Sequence, residues 1–181
     1  MASLHSLGYA RRMPESTSLA AITIRPAVSE DAGGITRVYL ESADYHAQLD
    51  SERYWKPSAE VISARYREGR QHPPESVAEA ITLVAELAGE ILGFVDARLT
   101  QSPDPMHRDL VYCHVVEIAV RSRHQGKGIG ERLLRAAEDW GCQQGAELAL
   151  LEYLAANTRA GAFYHRLGYS AASINVIKRL S

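Results

Sequence analysis

The order of regular segments along the chain, β-α-α-β-β-β-α-β-α-β, predicts a single mixed α/β domain. Three observations carry that expectation. Two β-rich runs, Ala80–Leu87 and Ile91–Leu99, are separated only by Ala88-Gly89-Glu90, as in an antiparallel hairpin. A long run, Leu110–Val120, is followed by an amphipathic helical stripe and another strand run, which is a strand-helix-strand crossover. A length of 181 residues with 46% hydrophobic side chains suits one core and is too short for two comfortable ones.

Residues 1–20 show no sustained periodicity and read as a disordered or locally docked tail. Met13 as the natural start and an organelle transit peptide are the other readings. Arg11 and Arg12 without an apolar stretch do not make a secretory signal. The domain therefore spans 21–181. Ile22-Thr23-Ile24-Arg25 alternates like a strand that Pro26 limits. Ser29 with Glu30 and Asp31 reads as a helix start, followed by Ile35, Val38, Tyr39 and Ser42 on one face. Ser58 caps a second helix carrying Val61, Ile62, Arg65 and Tyr66, which Gly69 closes. His72-Pro73-Pro74 is a loop, and so is Thr100–Asp109 with its Pro103 and Pro105. Ile129, Leu133, Ala136, Ala137 and Trp140 form the stripe of a helix ending near Gly145. Glu147–Tyr153 is a strand. Asn157 starts a last helix with Ala160, Phe163, Tyr164 and Leu167, which Gly168 stops. Tyr169–Leu180 then returns as one or two strands.

Charge narrows the classes of partner. Lys+Arg is 20 and Asp+Glu is 22, a net charge of -2, where a protein held to nucleic acid by basicity should be positive. No apolar run approaches the ~20 residues that span a bilayer. Cys113 and Cys142 make no disulfide framework and lack metal-knuckle spacing. They read as two small buried apolar residues in a reducing, cytoplasmic setting, with no metal implied.

The most informative stretch runs from Val120 to Gly130, between a strand and a helix. Gly126, Gly128 and Gly130 alternate, so successive backbone N–H groups can point into one concavity. The helix start behind them adds unpaired donors and the positive end of a dipole. Arg121, Arg123, Lys127, Arg132 and Arg135 surround it, against the single acid Glu131. Together these predict a phosphate or pyrophosphate site. A dinucleotide fingerprint is excluded, because the position for its third glycine is Glu131 or Leu133. A P-loop is excluded because Lys127 precedes Gly128 rather than Ser or Thr. A purely structural glycine turn is the plainer alternative.

This segment resembles the GNAT superfamily of acyl-CoA-dependent N-acyltransferases, whose pattern is a strand ending in Val and then Arg/Gln-x-x-Gly-x-Gly/Ala. Here Val120 is followed by Gln125-Gly126-Lys127-Gly128-Ile129-Gly130. A second family element is matched by Asn157, Ala160, Phe163, Tyr164, Gly168 and Tyr169. The resemblance covers about residues 22–181. It implies a central, mixed, mostly antiparallel sheet whose fourth and fifth strands splay in a V. The pantetheine arm of the acyl-CoA lies in that V like an added strand. Carried onto this chain, Ile118, Ala119 and Val120 contact the pantetheine and thioester through their main chain. Gln125, Gly126, Lys127, Gly128, Ile129 and Gly130 offer N–H groups to the pyrophosphate. Asn157 bonds the pantetheine or thiol end, caps its own helix, or does both.

The implied reaction is attack of a primary amine on the thioester of acetyl-CoA in a ternary complex, with neither cysteine as nucleophile. An amine of pKa ≈ 10.4 is neutral in about one part in 10³ at pH 7, a barrier of about 4 kcal/mol unless a base helps. Glu117, three residues before Val120, is the candidate base, or else a structural carboxylate bonded across the sheet. His114 is an odd number of residues away and faces oppositely in a regular pleat, unless a bulge intervenes. Tyr164 occupies the family's tyrosine position and is the candidate donor to the leaving sulfur, or else a core aromatic. The loop carrying Asp44, Asp50, Glu52, Tyr54 and Trp55 suits an amine or basic peptide. A non-catalytic acyl-CoA-binding or regulatory module on the same fold is the alternative function. The expected partner is a small-molecule or peptide amine, with no nucleic acid and no membrane; a homodimer is left open.

Overall fold

A computed structural model of the chain describes residues 21–68, 79–101 and 106–180. One five-stranded sheet has the order β1-β2-β3-β4-β5. Its strands are β1 (Thr23–Pro26), β2 (Ala80–Leu87), β3 (Glu90–Gln101), β4 (Val111–Val120) and β5 (Leu148–Leu151). The first four pair antiparallel in sequence order, and β5 joins β4 in parallel after a helical crossover. The helices are α1 (Ala32–Leu49), α2 (Ala59–Arg67), α3 (Ile129–Gln143) and α4 (Thr158–Arg166). No described helix is long and apolar enough to cross a membrane.

Two cores lie on opposite faces of the sheet. On one, Ala32, Ile35 and Val38 of α1 and Ile62 and Tyr66 of α2 bury Val84, Ile91, Phe94 and Ala119. On the other, Ile129, Leu133, Leu134 and Ala137 of α3, with Tyr164 of α4, bury Leu83, Ala85, Leu92, Val95, Ala97, Cys113 and Val115. This partition follows from period-2 alternation along the strands and the 3.6-residue stripe of α3.

Packing of α3 on β4 is tight at Gly141, where an added Cβ would stand 2.4 Å from the Cys113 Cβ and 2.7 Å from its Sγ. Helix propensity favours Gly→Ala by about 1 kcal/mol. Overpacking against a buried strand side chain costs about 3 kcal/mol. Gly141→Ala is therefore expected to lower unfolding free energy by about 2 kcal/mol, measurable by urea titration. A gain in stability would show that α3 shifts freely on the sheet.

Two departures from regularity shape the functional region. The β3–β4 register slips between Asp96 and Ala97: Asp96 pairs with Glu117 but Ala97 pairs with Val115, so Val116 is the extra residue of a bulge. Pairing between β4 and β5 is confined to Tyr112–Val115 against Leu148–Leu151. Beyond Val115, β4 continues to Val120 without β5 beside it. The splay implied by the resemblance is thus present between these two strands.

Several elements differ from expectation. The segment Ser29–Asp31 is a 3-10 turn, and α1 begins only at Ala32. β3 runs through Thr100 and Gln101, read as loop, because they pair with Tyr112 and Val111. β5 is shorter than Glu147–Tyr153 because its ladder with β4 stops at Val115↔Leu151, although β4 itself runs on to Val120. Tyr169–Leu180, read as one or two strands, forms no strand among its described residues. Cys113 is buried but Cys142 is exposed, so the reading of both as core residues holds for the first only. The tail 1–20 with Met13, the helix stop Gly69, the loop His72-Pro73-Pro74, and Pro103 and Pro105 lie outside the described residues.

Candidate active site

Residues 121–128 connect β4 to α3. Gly126 and Gly128 take φ of 76° and 77°, a region an L side chain enters at about 1–2 kcal/mol. Gly128 is the N-cap of α3 and contributes no side-chain cap, so the first-turn N–H groups have no side-chain acceptor. Arg132 is the residue whose N–H returns to the Gly128 carbonyl, at 3.1 Å. Gly130 is less special: an added Cβ would make ordinary contacts with Phe163 at 3.6 Å and Val120 at 3.7 Å. Gln125 is already committed. Its backbone N–H donates to Ser122 O at 3.3 Å and its side-chain Nε2 to Val120 O at 2.9 Å. The donor array therefore starts at Gly126, and Gln125 acts as a clasp that closes the turn.

The clasp has a second half that sequence reasoning missed. Arg159, in the first turn of α4, donates from Nη1 to Gln125 Oε1 at 2.7 Å. Its signal was its place directly after the Asn157-Thr158 helix start. Asn157 caps α4, accepting from Ala160 N at 3.0 Å through Oδ1, which leaves its amide NH2 to donate elsewhere. The positive charge around the turn is smaller in space than along the chain. Arg121 bonds Glu41 at 3.1 Å and Glu90 at 2.5 Å, Arg123 also pairs with Glu90, and Arg135 pairs with Glu131 at 2.9 Å. These carboxylates engage neither Lys127 nor Arg159, and Arg132 donates to the Ile22 carbonyl at 2.8 Å.

Where β4 and β5 part, the side chains of Ile118 and Val120 pack into the α3/α4 core and Ala119 into the α1/α2 core. Their main chain is what β4 presents toward the gap. Tyr164 reaches the same region from α4, packed against Phe163, Tyr153 and Tyr169 with ring centroids 5.2, 5.6 and 5.8 Å away. Among the described residues its hydroxyl has no hydrogen-bond partner. Burial pushes its phenol up to about 12, with a further contribution from the Glu117 carboxylate. Tyr164 thus keeps its proton across the whole working range and feels Glu117 directly.

The bulge at Val116 brings His114 onto the Glu117 face, because His114 pairs with Arg98 and Glu117 with Asp96, and positions 96 and 98 share a face. The regular-pleat expectation that they point apart is overturned. Burial, seconded by Arg98, holds the His114 imidazolium below the usual histidine range, while Glu152 opposes this weakly. His114 is therefore neutral at pH 7. Asp96, which sequence reading also missed, is fully buried behind Glu117. It accepts from Tyr66 Oη at 2.8 Å and Thr82 Oγ1 at 2.6 Å, which satisfies a carboxylate that desolvation would otherwise penalise. An aspartate in the otherwise apolar run Gly93–Ala97 was the available signal.

The acids expected to attract an amine are not free. Asp44 lies inside α1 and pairs with Lys56 at 2.6 Å, Asp50 pairs with Arg53 at 2.5 Å, and Glu52 pairs with Arg179 at 2.5 Å. Tyr54 stacks on His46 with centroids 5.7 Å apart, while Trp55 is exposed.

Residues 39–169 match the profile of the Acetyltransferase (GNAT) family. The chain belongs to that family. As a GNAT acetyltransferase it is 28% identical over 148 residues to the uncharacterized N-acetyltransferase YhfO of Bacillus subtilis, covering 82% of this chain and 89% of that one. A mutant of the BH1408 protein from Bacillus halodurans superposes with a TM-score of 0.77 at 21% identity, over 88% of this chain and 99% of the other. Aminoglycoside N-acetyltransferase AAC(6')-Iy in complex with CoA superposes with a TM-score of 0.64 at 16% identity, over 88% and 94%. The GNAT chain is thus an acyltransferase by family, and these structural likenesses confirm its mixed, mostly antiparallel fold.

Proposed function

We propose that this enzyme transfers the acetyl group of acetyl-CoA to a primary amine of a small molecule by direct attack in a ternary complex. The observation that carries the reading is that β4 runs on past its ladder with β5, through Ile118–Val120, into the glycine turn at the start of α3. The N–H groups from Gly126 to Gly130 sit at one end, and the parted β4 edge at Ile118–Val120 leads from there to the side chains of Glu117 and Tyr164. A diphosphate suits the helix start, an extended pantetheine suits the strand edge, and a thioester then lies where the two side chains meet. AAC(6')-Iy was solved with CoA and with a bisubstrate analogue of CoA and an acetylneamine, which supports an amine acceptor here.

In this reading Glu117 takes a proton from the bound ammonium and so frees the neutral amine to attack, and a strand N–H of β4 stabilises the developing oxyanion. The amine nitrogen forms the amide bond as the carbon–sulfur bond breaks, and the second proton it sheds goes, through solvent, to the departing thiolate. Tyr164 faces the departing sulfur. A phenol held at about 12 lies about 3.5 units above a thiol near 8.5. Full proton transfer would be uphill by about 5 kcal/mol, so Tyr164 donates a hydrogen bond and keeps its proton. Asn157, with its NH2 uncommitted, bonds the pantetheine end. His114 is the second candidate base, favoured by the bulge that brings it to the Glu117 face and by its neutrality.

Thiol release from acetyl-CoA across a panel of amines, aminoglycosides included, tests the reading; acetyl-CoA binding without turnover on any amine would leave a non-catalytic binding module. Glu117→Gln is expected to lower kcat at pH 7 about 100-fold. The deficit should narrow toward pH 10, where the neutral fraction of an amine of pKa ≈ 10.4 has risen to about 0.3 while Tyr164 is still protonated. A larger loss in His114→Gln than in Glu117→Gln transfers the base role to His114.

A further inference from the structure

The bulge at Val116 sets two rows of side chains on the α1/α2 face of the sheet. Thr82, Asp96 and Glu117 stand abreast on β2, β3 and β4, and Ala80, Arg98 and His114 form the next row. Phe94 and Ala119, two residues from Asp96 and Glu117 along their strands, pack into the α1/α2 core, which fixes the face. Asp96 is fully buried, while Arg98, His114 and Glu117 are partly exposed.

The rows carry opposite charge. Two carboxylates stand in the first. The second holds a guanidinium beside an imidazole that burial and Arg98 itself keep neutral at pH 7.

The chain does not satisfy this guanidinium. Arg98 Nε is shut off from solvent and finds no hydrogen-bond acceptor among the described residues. Buried N–H groups are nearly always paired, and a charged one left alone is the costliest kind. Asp96, two residues away on the same face, spends Oδ1 on Thr82 at 2.6 Å and Oδ2 on Tyr66 at 2.8 Å. An arginine Nε–H and the Nη–H beside it form the fork that grips a carboxylate through two parallel bonds. With that edge open inside a site, the anion that fits it comes from outside the chain. Glu117 lies on the diagonal from Arg98, roughly 7–8 Å away between strands. Both side chains rise from one face, so a ligand that meets both needs its amine and its anion only a few bonds apart.

We propose that the acceptor is a free amino acid, whose ammonium meets Glu117 and whose carboxylate is held by Arg98. This rests on the acetyl-transfer reading and narrows its substrate class; the products are CoA and the N-acetyl amino acid. A zwitterion matches the two rows, and Arg98 gains the partner that the chain does not supply. A polyamine or an aminoglycoside would instead set a further cation against the guanidinium, with like charges on one face.

Thiol release by the full chain with acetyl-CoA tests this, with L-amino acids and the carboxamide of each as acceptors. The members of a pair differ in the anion. For the best acceptor, kcat/KM should be at least about 30-fold higher for the acid than for its carboxamide. Arg98→Gln should bring that ratio close to one, chiefly by raising KM for the acid. It should not lower the melting temperature, since the Nε–H bonds nothing in the folded chain. Arg98→Met, which keeps the apolar stem, serves if that variant fails to fold. A wild-type ratio near one, with amines turned over, overturns the inference and leaves acetyl transfer standing. A high ratio that survives in a folded Arg98 variant overturns it as well, because another group then reads the carboxylate. No turnover of any amine defeats the acetyl-transfer reading itself, and this inference falls with it.

Discussion

Gly128→Glu should abolish binding of CoA and acetyl-CoA while leaving a folded protein. Gly128 is the exposed N-cap of α3 with φ of 77°. Any side chain there enters the left-handed region at about 1–2 kcal/mol, which a domain of this size tolerates. The larger effect is on the ligand. The glutamate would place a carboxylate among the N–H groups of residues 126–130, where the diphosphate is proposed to sit. Like charge replaces donors that a helix start directs at an anion. An affinity loss of at least 100-fold, about 3 kcal/mol, is expected by calorimetry. Gly128→Ala separates the two causes, because it keeps the backbone strain and omits the charge, and should lose far less. Unchanged affinity in a folded Gly128→Glu protein would mean that the diphosphate does not sit at residues 126–130.

Tyr164→Phe should lower kcat about 100-fold with little change in CoA affinity or stability. Phenylalanine preserves the ring contacts to Phe163, Tyr153 and Tyr169, and no hydrogen bond of the hydroxyl is lost among the described residues. The change in unfolding free energy should therefore stay within about 0.5 kcal/mol. What disappears is the donor proposed to face the leaving sulfur. If stability falls and kcat does not, Tyr164 is a core aromatic, and the sulfur takes its proton from solvent. Activity that recovers with thioesters of more acidic thiols would support the leaving-group role, since such sulfurs need less help.

Much of the fold was legible along the chain because its signals are local. The Ser58 and Asn157 caps each act on an N–H three residues on, and the hairpin at Ala88-Gly89 is declared by its turn. The site was legible where it consists of main chain: a glycine at 126 or 128 announces a backbone shape. It was less legible where it consists of side chains. The five cations of residues 121–135 look like a basic patch in order, and only the folded chain shows Glu41 and Glu90 quenching two of them. The acids at 44, 50 and 52 looked available for an amine and are each tied to a cation.

The amino-acid order by itself determined the hairpin, the helix caps and the cradle glycines, and the resemblance of its two motifs to GNAT proteins was already visible there. Each of these depends on residues within a few positions of one another, where covalent geometry leaves a small set of backbone conformations. Tertiary structure alone decided that His114 and Glu117 share a face, that Arg159 clasps Gln125, that Asp96 is buried behind the proposed base, and that residues 169–180 form no strand of their own chain. These outcomes turn on strand register and on partners far apart in sequence. A one-residue slip between β3 and β4 reverses which side chains meet, and nothing local to either strand records it.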